Sequence, residues 1–218
     1  FVAAVAERYP DSAGIEVWNE PNLERFFIGS GGPKFYAEML TAVADAVAAT
    51  ETGVPVVAAG LSPVLESDPE RTEWTGYLAE VLAGGGLEAV DAIGLHPYSV
   101  FEPGRSVAPK AERMISEAEA AMVAAEVELP IWITEVGVST AGKSSVDPES
   151  QAAELAELYA IALARSIPVM IVHRLYDQLD PEFPVEAGYG VVEADMTTPK
   201  PAFCRLAELV AAPGCPDA

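Results

Sequence analysis

Five short runs rich in β-branched and other apolar residues punctuate the chain, each closing on a polar cluster and each followed by a stretch with helical spacing. They are Gly14 to Trp18, Pro55 to Gly60, Asp91 to Leu95, Ile131 to Thr134 and Pro168 to Val172. Alanine-rich segments between them predict helices near 34–51, 73–83, 108–127 and 148–166, with a leading helix at 1–9 and a last one near 202–211. Boundary residues agree. Asp147-Pro148-Glu149 reads as cap, first-turn proline and favourable N-terminal carboxylate, and Gly84-Gly85-Gly86 as a helix stop.

The strand starts fall at 14, 55, 91, 131 and 168, an even step that favours a TIM-type (β/α) barrel over an open doubly wound sheet. Eight units at this step would need roughly 300 residues, whereas the chain has 218 and shows five strands. The pattern therefore predicts one domain over 1–218, either an open five-unit sheet or a barrel whose first three units lie upstream. The chain opens on Phe1 and runs straight into a helical pattern, so its native start is expected to lie further upstream, with room there for a signal peptide.

Half of the residues are apolar, enough for a packed core, and the formal charge is −22. Phosphate backbones and anionic lipid surfaces would repel such a chain, so nucleic acid is excluded as a partner. The longest purely apolar stretch, Ile167 to Val172, contains a proline and is too short to span a membrane. The acidic surface points to an extracellular or high-salt setting. Cys204 and Cys215 suit a small disulfide tying down the tail, but their spacing fits two unpaired thiols equally well.

Candidate chemistry gathers where the strands end, the working face of parallel α/β folds. Asn19-Glu20-Pro21-Asn22 follows the first strand, His96-Pro97-Tyr98 the third, Glu135 the fourth and His173-Arg174-Leu175-Tyr176-Asp177 the fifth. Only the second strand end, Leu61-Ser62-Pro63, is chemically quiet. Taken singly, each has a bland reading as a solvated loop charge or a turn. Together, two glutamates at the ends of non-adjacent strands are what glycosidic-bond cleavage requires, one to protonate the leaving oxygen and one to attack the anomeric carbon. Rival chemistries are poorly served. The glycines at 84–86 precede a strand, so no dinucleotide fingerprint or phosphate loop is present. The two histidines lie on different strands without zinc-ligand spacing, and no Gly-x-Ser-x-Gly elbow occurs. No cofactor is expected.

Ile15-Glu16-Val17-Trp18-Asn19-Glu20-Pro21-Asn22 resembles the acid/base motif of clan A glycoside hydrolases, at the end of their fourth barrel strand. Ile131-Trp132-Ile133-Thr134-Glu135-Val136-Gly137 resembles their nucleophile motif at the end of the seventh, and Gly94-Leu95-His96-Pro97-Tyr98 their His-x-Tyr at the end of the sixth. Gly188-Tyr189-Gly190-Val191-Val192, then Thr198-Pro199-Lys200-Pro201-Ala202-Phe203, is similar to the close of the barrel in family 39-like members, a short strand and a turn leading into the last helix. The resemblance covers nearly the whole chain, from strand four to strand eight. The family's first three strands have no counterpart, and its strand-eight tryptophan platform is replaced by His173 and Tyr176.

The resemblance implies a retaining double displacement on a poly- or oligosaccharide, with Glu20 as general acid/base and Glu135 as nucleophile, their carboxyls roughly 5–5.5 Å apart. It assigns Asn19 to the sugar 2-hydroxyl, Tyr98 to a hydrogen bond on Glu135, and His173, Tyr176 and Asp177 to substrate contact. His96 is either a second orienting or sugar-binding group or a satisfied structural hydrogen bond. Trp18 and Trp132, inside strands, are expected in the core, and Trp74 against a helix. The alternative is a catalytically incompetent barrel fragment that binds carbohydrate or requires its missing strands. Its open edges, Gly14 to Trp18 and Pro168 to Val172, would then favour self-association.

Overall fold

A computed structural model describes residues 1–28, 31–98, 106–143, 145–179, 182–212 and 215. Its elements alternate as the hydrophobic period predicts: α1 (Val2–Arg8), β1 (Ile15–Val17), α2 (Gly32–Ala48), β2 (Val56–Leu61), α3 (Trp74–Ala83), β3 (Ala92–Leu95), α4 (Ala108–Ala124), β4 (Ile131–Val136), α5 (Pro148–Ala164), β5 (Met170–Val172) and α6 (Pro201–Leu209). The described chain forms two compact units, residues 1–96 with 113–134, and 97–112 with 135–218.

In the first unit β1 to β4 are parallel neighbours in chain order, with Ile15 opposite Val56, Ala58 opposite Ile93 and Gly94 opposite Trp132. Such strands, covered on both faces, need continuous apolar runs, and β2 and β3 are buried at every position. Tyr36 of α2, 1% exposed, is the polar pin of this layer. Its hydroxyl donates to the Val17 carbonyl at 2.9 Å and accepts the Ala59 N–H at 2.6 Å, taking over where the β1–β2 register ends at Val17 and Ala58. Burial pushes the phenol far above its ordinary pKa, so the hydroxyl stays a donor. Tyr36→Phe leaves one buried carbonyl and one buried N–H unmet, and should lower unfolding free energy by about 2–4 kcal/mol with an unchanged urea m-value.

In the second unit β5 continues from the end of β4, the His173 N–H bonding to the Val136 carbonyl at 2.8 Å. Gln151 of α5, fully buried, donates to the carbonyls of Val138 (2.8 Å), Gly188 (3.2 Å) and Gly190 (3.2 Å). Gly190 in turn donates its N–H to Asp177 Oδ1 at 2.8 Å. Cys204 and Cys215 are disulfide-bonded, with Cα atoms 5.2 Å apart; Pro213 and Gly214 between them lie outside the described residues.

Several expectations need correction. Strand β4 runs two residues further than the pattern indicates, so Glu135 lies inside it rather than after it. In place of the short strand expected at 188–192, a 3-10 turn over Pro184–Gly188 leads into a segment that exchanges hydrogen bonds with residues 174–177, Val192 making isolated bridges to Tyr176 and Pro199. Trp18 is not a core residue: β1 ends at Val17, the Trp18 backbone turns left-handed (φ 78°), and its side chain is 52% exposed. Trp132 is half-buried, whereas Trp74 opens α3 fully buried, as expected.

Candidate functional site

In the first unit the chain leaves β1 through an unusual turn. Trp18 and Glu20 both have left-handed backbones, φ 78° and 40°, which for side-chain-bearing residues costs about 1–3 kcal/mol each and persists only where surrounding contacts impose it. Those contacts are visible. The Glu20 N–H bonds to the Gly60 carbonyl (3.2 Å), and the Gly60 N–H bonds to Glu16 Oε1 (2.8 Å), so one residue of β2 holds both acids of the motif. Asn22, 2% exposed, accepts from Ser62 N–H (3.0 Å) and donates to the carbonyls of Ser62 (2.9 Å) and Thr72 (3.1 Å). The quiet second strand end thus anchors the loop that carries Glu20.

Glu20 is buried, 8% exposed, and its Oε1 lies 3.2 Å from Nδ1 of the fully buried His96. A side chain at Gly60 would run into the His96 imidazole and the Thr134 hydroxyl, which is why glycine stands there. His96 thus meets Glu20 from the end of β3. Asn19, between the two left-handed residues, is exposed. A hollow of about 180 Å³ opens beside this loop, lined in part by Pro21, Asn22, Glu24, Phe27 and Arg71.

In the second unit Tyr98 Oη donates to Glu135 Oε1 at 2.7 Å, as expected. The other carboxylate oxygen lies 4.0 Å from His173 Nδ1, and His173 Nε2 lies 3.6 Å from Glu186 Oε2. Tyr98, His173 and Tyr189 pack edge to face, with centroids 5.6 to 6.4 Å apart. The His173–Arg174 peptide is cis. A Cβ on Gly137 would strike the His173 carbonyl, so that glycine permits the close approach of the His173 backbone.

Tyr176 is 39% exposed. Asp177 is paired within the fold: its Oδ2 meets the buried Lys200 Nζ at 2.6 Å while its Oδ1 takes the Gly190 N–H. Glu16, Glu186 and Tyr189 were not singled out for chemistry, and nothing local marks them, since each acts through a partner at least 13 residues away. Among the described residues no group of three or more His, Cys, Asp or Glu side chains is placed to hold a metal ion, and no helix is long and apolar enough to cross a membrane.

No protein-family model matches the sequence, and no curated protein matches it. Solved structures do resemble the fold. A family 39 glycoside hydrolase from Bacteroides cellulosilyticus WH2 is 20% identical over 97% of this chain and 43% of its own, with a TM-score of 0.65. A family 17 β-1,3-glucanosyltransferase from Rhizomucor miehei is 22% identical over 87% of this chain and 62% of its own (TM-score 0.61). An endo-laminarinase from Formosa Hel1_33_131 is 14% identical over 88% and 57% (TM-score 0.64). The chain spans less than two thirds of each. At these identities the likeness is one of architecture. The chain carries five consecutive β/α units of the TIM-type barrel fold that these glycoside hydrolases share.

Proposed function

We propose that the chain is a retaining glycoside hydrolase acting on a neutral oligo- or polysaccharide, with Glu135 as nucleophile and Glu20 as general acid/base. The observation that carries this reading is the 2.7 Å hydrogen bond from Tyr98 to Glu135 Oε1. A donor on one oxygen fixes the carboxylate and leaves the other to attack. In the first step Glu135 forms an ester to the anomeric carbon as the bond to the leaving oxygen breaks, and Glu20 supplies that oxygen with a proton. In the second, Glu20 takes a proton from water, the hydroxide attacks the anomeric carbon, and the ester bond to Glu135 breaks. Asn19 meets the sugar 2-hydroxyl, His96 orients Glu20, and His173 and Tyr176 contact the substrate.

Hydrolysis of aryl β- and α-glycosides and laminarin oligosaccharides, run beside Glu135→Gln, tests the proposal; the laminarin series leads because two of the similar structures are a β-1,3-glucanosyltransferase and an endo-laminarinase. Tyr98→Phe should lower kcat about tenfold at an unchanged KM, since the lost bond orients the nucleophile and does not hold the substrate. An equal rise in KM would place Tyr98 at the sugar instead. Partial coverage of the similar structures, 43% in one case, favours a second reading: a unit that binds carbohydrate but turns it over only with further β/α units. That reading predicts silence in the panel and concentration-dependent self-association in sedimentation.

A further inference from the structure

Trp18 combines features that a packing role does not require together. Its side chain is 52% exposed, yet it is held at two points on a left-handed backbone. The indole Nε1–H donates to the Phe26 carbonyl at 2.8 Å, the ring packs against Phe27 at 5.6 Å and 66°, and the backbone sits at φ 78°. Phe27 is itself buried and wedged edge-on against Tyr36 at 5.8 Å and 90°, so the support behind the indole is rigid. Here the strain is retained, and an observed outlier of this kind, one residue from Asn19 and two from Glu20, points to a binding role.

The chemistry of the occupant follows from what the site offers. Because the indole N–H is already used by Phe26, Trp18 presents ring surface, which suits an apolar face. Phe27 also lines the hollow of about 180 Å³, whose polar wall includes Glu24 and the Asp68–Arg71 ion pair (2.6 Å), a polar surface that hydroxyl groups can join. A ligand with one apolar face and an equatorial belt of hydroxyls is a pyranose. The formal charge of −22 and three carboxylates (Glu24, Asp68, Glu70) on the hollow exclude a polyanionic glycan. We infer that Trp18 is a stacking platform for a neutral pyranose unit bound beside Glu20. The inference rests on the glycosidase reading and adds to it a binding residue outside the strand-eight position.

The chain has three tryptophans, so its indole N–H resonances are few, and Trp18→Phe assigns the one from Trp18. Titration of the whole chain with laminaritriose, then with other neutral oligosaccharides, should move the Trp18 resonance while the buried Trp74 resonance stays in place. Trp18→Leu should weaken the affinity read by calorimetry about tenfold, and Trp18→Phe should restore most of it. A Trp18 resonance unmoved by every neutral sugar overturns the inference, as does one that moves with protein concentration alone, which would make the indole a contact between copies of the chain. Hydrolysis measured on the same samples separates the two claims. Turnover with an unmoved Trp18 resonance leaves the glycosidase reading standing without the platform, and a moved resonance without turnover keeps the platform and removes the catalytic reading.

Discussion

Glu135→Gln should lower hydrolysis of every glycoside the chain accepts by at least about a thousandfold, because an amide cannot form the glycosyl ester on which double displacement depends. The substitution is nearly isosteric, keeps an acceptor oxygen for Tyr98 Oη, and leaves β4 intact, so circular dichroism should be unchanged. Glu20→Ala should behave differently. Its proton is needed in the first step only when the leaving oxygen is a strong base, so alkyl glycosides and natural oligosaccharides should lose activity as severely as in Glu135→Gln. A dinitrophenyl glycoside, whose leaving group departs unaided, should still show a rapid first turnover and then stall, because the base for the second step is missing. The measurement is a leaving-group series under pre-steady-state conditions on both variants. Equal losses across the series for Glu20→Ala would remove it from the acid/base role. Residual steady activity in Glu135→Gln would remove Glu135 as nucleophile.

The alternation of strand and helix was legible because it depends on local signals: apolar runs of β-branched residues, proline and aspartate at helix starts, glycine at stops. Asp147 shows this, its side chain capping α5 by accepting the Ser150 N–H at 2.8 Å as the Asp-Pro-Glu pattern predicts. Tyr98 on Glu135 was legible for another reason, a family resemblance in the motif that carries it. What the chain did not disclose lies in long-range pairings. The 76-residue span from Glu20 to His96 and the 44-residue span from Glu16 to Gly60 leave no periodic trace. Trp18 misled for a physical reason. Alternation along a strand predicts its burial only while the strand continues, and a left-handed residue ends that period at once. The ion pair of Asp177 was hidden likewise, since a carboxylate after a strand carries no local mark of a lysine 23 residues away.

That last pair is where a single substitution should do most damage to the fold. Lys200 is 3% exposed and its Nζ lies 2.6 Å from Asp177 Oδ2 and 3.0 Å from Thr140 Oγ1. Asp177→Leu leaves a buried ammonium with one neutral acceptor, and Lys200→Met leaves a largely buried carboxylate with the Gly190 N–H. Each orphaned charge should lower unfolding free energy by about 3–5 kcal/mol, a large part of the ~5–15 kcal/mol available to a domain. The double variant Asp177→Leu with Lys200→Met removes both charges and fills their volume, so it should recover most of the loss. Urea unfolding of the set gives the coupling energy directly. Singles that each cost under about 1 kcal/mol would mean that water solvates the pair as it does a surface bridge. The damage should also reach the chemistry before the chain unfolds. Asp177 holds Gly190, Gly190 follows Tyr189, and the Tyr189 ring packs at 5.6 Å on both Tyr98 and His173, the two groups facing Glu135. In the single variants turnover should therefore fall at urea concentrations where far-ultraviolet circular dichroism is still native, and in the double variant the two transitions should coincide.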